Sequence, residues 1–526
     1  MKKKARSKPI FTGKVAILLL LAIIAFGLLI SFLTYAGPSP FYDDSNYLAL
    51  SHQIIELNPA FIGSIFGFDY LQLMPLAVSQ YLLGYGDFQV ILPSIIEYVV
   101  MIIFAFLIGR QISGYSLGLL SAFFTATAPF VTVNVTRVLP DMATGMAVAI
   151  SLYLFVLCAK SKQKFYIQML YGASTVFPFF MKVEGLSFFG FSWLAIIMAA
   201  AYYRFSGSFT TKRFLVFAAI GAAVAMFIYF MVFALLINDP FFGLQNQRIA
   251  PVQPPLENAI IAFNPNTFSF ASPSETEAYP IGLLVYFAIA GSILATTRRN
   301  KYMSFISIVG WGVLAYLLAG TTSYQKYVPI TTHTRFFAII LIPLSVLAAY
   351  AVISLYEQLA KSRRIFGLAA VGLLIFLLFF SYYQIYAIFA NANAALAPDF
   401  SPFYSAANYI ENLQNLNNTA VFVYAPSGFY SFALQDFNFA AKYNPHYSTY
   451  GVNNTVYKAT HVCNLDNVSG SAYLLNVDPL NYTNFKNVSR TYLNTWEGAN
   501  CTQQYLTHFN NGSTYIAVYR LASLKV

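Results

Sequence analysis

Residues 15–47 read VAILLLLAIIAFGLLISFLTYAGPSPFYDDSNY, an apolar run followed within a few residues by two adjacent aspartates, Asp43 and Asp44. The run is about 20 residues long, which matches the thickness of a bilayer and exceeds the apolar core of a typical signal peptide. The basic segment Met1–Lys8 precedes it. We therefore predict a retained first membrane helix with its N-terminus in the cytoplasm.

The composition extends this prediction to most of the chain. Of 526 residues, 58% are hydrophobic and 9% are charged, against about 45–50% and about 25% in soluble domains. Basic residues cluster in alternate loops, as cytoplasmic loops do, so the net charge of +11 indicates membrane topology and not nucleic-acid binding. Eleven apolar spans are predicted, near residues 15–36, 88–109, 115–134, 142–159, 165–181, 185–203, 214–237, 279–296, 303–320, 336–356 and 365–389.

This topology leaves two long loops and the C-terminal region on the outer side. Within the first loop, Tyr47–Leu57 is amphipathic and is expected to lie flat in the membrane interface. Residues 238–278 are rich in Pro and Asn, which is typical of a lid or binding loop. We predict a mainly α fold: a transmembrane helical bundle over residues 1–390 and a small extracytoplasmic α/β domain over residues 391–526.

The C-terminal region combines short apolar runs with many Asn, Tyr, Ser and Thr residues. Its pattern predicts a helix over 403–416 and strands over 420–424, 472–475 and 515–519. If this region lies outside the cell, Cys463 and Cys501 can form a disulfide; the alternative is two unrelated thiols. The region contains seven Asn-x-Ser/Thr sites, which are consistent with an exterior location and an archaeal source. Their asparagines are Asn417, Asn453, Asn467, Asn481, Asn487, Asn500 and Asn511.

Four polar clusters lie at the outer ends of predicted spans. The interiors of those spans, by contrast, are nearly free of charge. Each has a plain structural explanation, such as helix capping, a favourable helix dipole or lipid anchoring. Their recurrence on one surface favours a shared site. The clusters are Asp43-Asp44, Arg137 to Asp141, Lys182 to Gly185, and His333-Thr334-Arg335.

These residue types suit one chemistry. A sugar carried on a membrane lipid phosphate presents its anomeric carbon at the interface, and its leaving group is an anion. Transfer to a hydroxyl needs a carboxylate to take the acceptor proton and cations to neutralise the departing phosphate. A divalent metal, Mg or Mn, held by Asp43 and Asp141 is a further candidate for that role. No P-loop or Gly-x-Gly-x-x-Gly occurs, so no nucleotide cofactor is expected.

The clusters resemble motifs of the GT-C superfamily of membrane glycosyltransferases, in particular the dolichyl-phosphate-mannose protein mannosyltransferases and the aminoarabinose transferases. Asp43-Asp44-Ser45-Asn46-Tyr47 resembles the first-loop motif, with Asp44 where many members have Glu. Arg137 to Asp141 is similar to the second-loop pattern, and Lys182 to Gly185 to a segment near the donor phosphate. Thr334-Arg335 followed by Pro343 resembles a late-helix motif.

The resemblance implies an inverting transfer of mannose or another hexose from a polyprenyl or dolichyl phosphate to a protein, lipid or glycan acceptor. It implies Asp43 as general base, with Asp141 orienting the acceptor or binding metal. Arg137, Lys182 and Arg335 are expected at the donor phosphate. The supporting residues are expected to be Asp44, Tyr47, Glu184 and His333.

Two alternatives remain at this point. An oligosaccharyltransferase shares the architecture, but the adjacent tryptophans of its Trp-Trp-Asp run have no counterpart in Trp193, Trp311 and Trp496. A transporter or a non-catalytic membrane protein belongs to another class. A transporter usually shows polar groups at mid-membrane and repeated halves, which the sequence does not.

Overall fold

The structure is a computed structural model. It describes residues 13–34, 43–58, 69–160, 164–202, 212–241, 283–321, 334–361, 365–378, 386, 400–413, 419–424, 430–443, 447–452, 472–479, 501–510 and 514–523. The statements below concern these ranges.

The protein is mainly α-helical, as predicted. Its helices are α1 (Gly13–Leu33), α2 (Asp43–Ile55), α3 (Tyr70–Leu83), α4 (Asp87–Ser113), α5 (Tyr115–Ala126), α6 (Pro129–Thr132), α7 (Asp141–Lys160), α8 (Phe165–Met181), α9 (Gly185–Tyr202), α10 (Lys212–Ile237), α11 (Leu284–Thr297), α12 (Lys301–Ala319), α13 (Ala338–Leu359), α14 (Ile365–Leu378), α15 (Ser401–Asn412) and α16 (Tyr430–Ala440). A 3₁₀ turn, Thr334–Phe337, leads into α13.

Every predicted span coincides with a helix in the described residues, and the protein is a multi-pass membrane protein. Six of the described helices are each long and apolar enough to cross a bilayer. The segment 115–134 differs from the prediction, because α5 ends at Ala126 and the short α6 begins at Pro129. Proline lacks the amide hydrogen that a continuous helix requires and is best placed at a helix start, so the chain breaks there.

Helix α13 is the centre of the bundle. Its sequence is apolar on all sides, and every residue from Ala338 to Val352 is buried. It contacts α5, α7, α11 and α12. Close approach elsewhere depends on glycine: a Cβ at Gly172 of α8 would lie 1.8 Å from the carbonyl oxygen of Ala218 in α10, and one at Gly221 would lie 1.9 Å from that of Met169. Larger residues at these positions would push the two helices apart.

Helix α2 confirms the helical pattern of the first loop but not its expected position. Tyr47, Leu48 and Leu50 are 4%, 1% and 5% exposed. The helix packs against α3 and against α16 of the C-terminal region. Protein therefore covers the face that was expected to lie in the lipid interface, because the C-terminal region supplies an apolar partner that local sequence does not reveal.

The C-terminal region contains a five-stranded mixed sheet in the order β2-β1-β3-β5-β4. Its strands are β1 (Thr419–Tyr424), β2 (Tyr447–Val452), β3 (Ala472–Pro479), β4 (Cys501–Asn510) and β5 (Thr514–Ser523). β1 pairs in parallel with β2 and β3, and β5 pairs antiparallel with β3 and β4. Helix α16 connects β1 to β2, as a parallel pair requires.

The α/β prediction for this region is confirmed, with omissions. The predicted helix and three strands correspond to α15, β1, β3 and β5, whereas α16, β2 and β4 were not anticipated. Cys158, expected in the core, is buried. Cys463, the seven glycosylation asparagines and most of the loop 238–278 lie outside the described residues, as does the proposed boundary at residue 390, so those expectations stay predictions.

Candidate active site at one end of the bundle

The site begins at the first turn of α2. Helix α2 has two carboxylates, Asp43 and Asp44, in its first turn, where the helix dipole favours negative charge. Successive helix residues point about 100° apart, so neighbouring side chains reach different surroundings. Asp43 is partly exposed, with 34% of its side chain accessible, whereas Asp44 is fully buried.

Asp44 forms a buried ion pair with Arg137. The guanidinium Nε lies 3.2 and 3.1 Å from the two carboxylate oxygens, Nη2 lies 2.5 Å from Oδ2, and the amide of Val138 donates to Oδ1 at 2.7 Å. These contacts satisfy both oxygens of a carboxylate with no access to solvent. The pair joins α2 to the connection between α6 and α7, and fixes the first turn of α2 in the bundle.

Asp43 and Asp141 meet at Arg335. Arg335 Nη2 donates to Asp43 Oδ2 at 2.6 Å, and Arg335 Nε lies 3.9 Å from Asp141 Oδ2. Lys182 Nζ donates to Asp141 Oδ1 at 2.7 Å. Asp43 of α2, Asp141 of α7, Lys182 directly after α8, and Arg335 in the 3₁₀ turn before α13 thus form one network of two carboxylates and two cations.

The two carboxylates of this network differ in access. The Asp141 side chain is 2% exposed, whereas that of Asp43 is 34% exposed. Lys182 and Arg335 are 13% and 23% exposed. An incoming molecule therefore meets Asp43 and Arg335 first, and Asp141 lies behind them.

Phe336 lies beneath both cations. The Lys182 ammonium is 3.4 Å from the centre of its ring, and the Arg335 guanidinium carbon is 5.8 Å away. The ring face attracts a cation without neutralising its charge. Phe336 thus helps to hold two positive groups close together while leaving them available to an anion.

A third acidic residue, Asp69, was not identified from the sequence. It is 9% exposed and accepts a hydrogen bond of 2.6 Å from the Tyr47 hydroxyl. Burial raises the pKa of Asp69 to about 8, the Tyr47 hydrogen bond and Lys182 oppose that rise, and Glu184 and Asp141 add to it. Burial and Asp69 raise the pKa of Tyr47, so its hydroxyl remains a donor.

Sequence reasoning missed Asp69 because it stands alone between predicted spans, in a Gly-Phe-Asp-Tyr context with no recognisable spacing to the other acids. Another buried acid, Glu97 of α4, is 4% exposed, and its Oε2 has no hydrogen-bond partner among the described residues. Glu97 could have been identified from the sequence, because it is a single acidic residue inside a predicted membrane span.

The structure brings most of the predicted site residues to one end of the bundle. Asp43, Asp141, Lys182 and Arg335 share the network, and Asp44 and Arg137 form the adjoining pair. Glu184 is 8% exposed and acts electrostatically on Asp69, to which Tyr47 is bonded. His333 lies outside the described residues.

The donor set does not fit a resident divalent cation. Asp43 and Asp141 each have a cation at hydrogen-bond distance, so a metal ion between them would face Arg335 and Lys182. Among the residues that the structure describes, no three His, Cys, Asp or Glu side chains are grouped to hold a metal. The chemistry proposed below therefore runs through no metal, and the effect of a chelator on transfer tests this reading.

Solved structures define the class of fold to which this architecture corresponds. The chain is similar to ArnT from Cupriavidus metallidurans in the apo state, with a TM-score of 0.62 and 12% identity over 96% of this chain and 98% of that one. For the same ArnT bound to undecaprenyl phosphate the TM-score is 0.59 and the identity 11%, over the same shares. For the apo oligosaccharyltransferase of Archaeoglobus fulgidus the TM-score is 0.50 and the identity 12%, over 97% of this chain and 75% of that one.

At these identities the likeness concerns the fold, which is that of ArnT-like GT-C proteins. The family model for dolichyl-phosphate-mannose-protein mannosyltransferases matches residues 75–233. That region contains Arg137, Asp141 and Lys182, but neither Asp43 nor Arg335. No curated protein matches the chain by sequence. The resemblance inferred from the motifs is thus confirmed for the fold, and the family model matches part of the same region.

Proposed function

We propose that the protein is an inverting glycosyltransferase that moves a sugar from a polyprenyl-phosphate donor to an acceptor hydroxyl at the outer face of the membrane. One observation carries the proposal: Arg335 contacts both Asp43 and Asp141 at one end of a membrane-embedded bundle. A base and a phosphate-binding cation side by side at a bilayer edge are what this reaction needs. The similarity to ArnT and to the mannosyltransferase family supports it.

Asp43 is assigned as the general base because it is the more accessible of the two carboxylates. It takes the proton from the acceptor hydroxyl while that oxygen forms a bond to the anomeric carbon of the donor sugar. The bond from that carbon to the phosphate oxygen breaks from the opposite face, and inversion results. The electron pair leaves with the phosphate, which departs as polyprenyl phosphate with one additional negative charge.

Arg335 and Lys182 are assigned to this developing charge. Both now pair with carboxylates, so a donor phosphate competes for cations that are already in place and need little reorganisation. Asp141 is too buried to reach an acceptor directly, and its bond to Lys182 assigns it the task of holding that ammonium in position. Arg137 is committed to Asp44, so any contact it makes to the phosphate is additional to that pair.

The donor lipid, sugar and orientation belong to the same proposal. The family name supports dolichyl-phosphate mannose or a related hexose, and the ArnT complex supports a polyprenyl phosphate in general. The basic loops support a cytoplasmic N-terminus and an extracytoplasmic C-terminal domain. The acceptor is a protein, lipid or glycan that reaches Asp43 from that side.

The test is transfer by purified protein from synthetic polyprenyl-phosphate sugars to a mixture of membrane and soluble acceptors. Asp43→Asn is expected to lose activity by about 10²–10⁴-fold, which is what a positioned general base contributes. Asp141→Asn is expected to lose activity because Lys182 loses the carboxylate that holds its ammonium. Glu357→Gln is the matched control, because Glu357 is 60% exposed and lies in the last turn of α13, at the opposite end of that helix from Arg335. Wild-type rates in Asp43→Asn would refute the assignment, and solute uptake into vesicles without any transfer would favour a transporter instead.

A further inference from the structure

Three consecutive residues at the start of α2 are held by three distant parts of the chain. Asp43 pairs with Arg335, 292 positions away, and Asp44 with Arg137, 93 positions away. Ser45 donates a hydrogen bond to Asp436 of α16, 391 positions away. The first two partners belong to the bundle, whereas the third belongs to the C-terminal domain.

The Ser45–Asp436 contact lies in the protein interior. Ser45 is 1% exposed and Asp436 is fully buried. Hydrogen bonds to a charged group in such surroundings are stronger than exposed ones, and leaving one partner unpaired is costly. A buried carboxylate aimed at the first turn of α2 is therefore a specific contact and not incidental surface packing.

Other contacts dock the same domain without touching this turn. His52, two turns further along α2, stacks on Tyr443 with ring centres 3.6 Å apart and an angle of 13°. The Tyr404 hydroxyl of α15 donates to Asp87 Oδ1 at the start of α4 at 2.8 Å. The domain consequently has anchors that are separate from Ser45, and these allow docking and positioning to be distinguished.

We propose that Asp436 is a positioning residue: through Ser45, the C-terminal domain sets the orientation of the Asp43 carboxylate. The proposal rests on the function proposed above. Residues two apart on a helix point about 200° apart, so Ser45 can face the domain while Asp43 faces Arg335. Fixing Ser45 fixes the rotation of the turn about its axis, and with it the direction of Asp43.

This arrangement predicts a particular kinetic effect. Asp436 contacts Ser45, whereas the groups assigned to the donor phosphate are Lys182 and Arg335. Loss of Asp436 should therefore lower kcat and leave the KM for the donor unchanged. A misplacement of about 1 Å at a reacting group costs up to about 100-fold in rate, so we expect a decrease of about 10–100-fold.

The variants are Asp436→Ala, Ser45→Ala and the double variant. Since both single changes remove the same hydrogen bond, the double variant should lose no more activity than the worse single one. Asp436→Asn keeps an oxygen that accepts from Ser45 and should retain most of the wild-type kcat. Tyr404→Phe is the matched control, because it removes an anchor of the same domain that lies away from α2.

Hydrogen exchange of residues 43–55, followed by mass spectrometry on the full-length protein, gives a readout that does not depend on transfer. Asp436→Ala and Ser45→Ala should speed exchange at the start of α2, and Tyr404→Phe should not. Unchanged exchange in both variants would overturn the proposal, as would an equal loss of kcat in Tyr404→Phe. If the wild type transfers no sugar, the function proposed above fails, and the exchange comparison still decides whether Asp436 holds this turn.

Discussion

The two arginines of the site should contribute very differently to stability. We consider replacing each by methionine, which keeps an unbranched apolar chain and removes the charge. Arg137→Met leaves Asp44 with the amide of Val138 as the remaining donor among the contacts described above, and this carboxylate has no access to water. Arg335→Met leaves Asp43 with 34% of its side chain accessible to water, which can take the place of the guanidinium.

The magnitudes follow from burial. Removing one partner of a buried ion pair costs about 3–5 kcal/mol, because an uncompensated charge remains. Breaking a partly exposed pair costs about 0.2–1 kcal/mol. With an unfolding entropy of about 2.1 cal/mol/K per residue, a chain of this length changes its Tm by about 1 °C per kcal/mol. We therefore expect Arg137→Met to lower the apparent Tm by about 3–5 °C and Arg335→Met by about 1 °C or less.

The assay is thermal unfolding in detergent at a fixed scan rate, followed by tryptophan fluorescence. Trp193 and Trp311 report on the bundle, where their indole nitrogens donate to Thr175 and Ser292. Asp44→Leu combined with Arg137→Met should recover much of the loss, since an apolar pair carries no buried charge. Arg335→Met should show near-native melting but little transfer activity.

The contrast can fail in two ways. If Arg335→Met destabilises the protein as much as Arg137→Met does, burial is not the quantity that separates the two pairs. If Arg137→Met melts like the wild type, Asp44 is not held as an ion pair in the folded protein. Either result would remove the physical basis for treating Arg137 as a residue that fixes α2 and Arg335 as one that binds substrate.

Three further predictions concern the acids and the cations. The pKa of Asp69 is raised to about 8, so the folded protein keeps a proton on this carboxyl that the unfolded chain releases above pH 3.8. The contribution of Asp69 to stability therefore falls as the pH rises from about 4 to about 8. Asp69→Asn should flatten that part of the curve of Tm against pH. Tyr47→Phe removes a hydrogen bond that favours the Asp69 carboxylate, so the upper end of this slope should move to higher pH, and an unmoved slope would argue against the bond. Transfer should survive EDTA, because Lys182 and Arg335 already supply the positive charge; loss of activity that Mg²⁺ or Mn²⁺ restores would show that a metal shares the role.

Much of the secondary structure and topology of this protein depends on local sequence and can be predicted from it. Apolar runs of about 20 residues must form helices in a bilayer, where unpaired backbone groups are costly. Counting those runs assigns each loop to a side of the membrane, so Asp43, Asp141, Lys182 and Arg335 could be expected at one end of the bundle. Short motifs then indicated the class of chemistry.

Tertiary structure alone decided which charged groups pair. Arg137 carries the same charge as Arg335, yet it is the one that contacts the buried Asp44, and Asp69 becomes unusual only because other elements exclude water from it. The docking of α16 on α2 likewise joins residues 391 positions apart. The physical reason is that helix formation in a membrane depends on the polarity of each segment, whereas pairing, burial and pKa depend on neighbours that distant segments bring together.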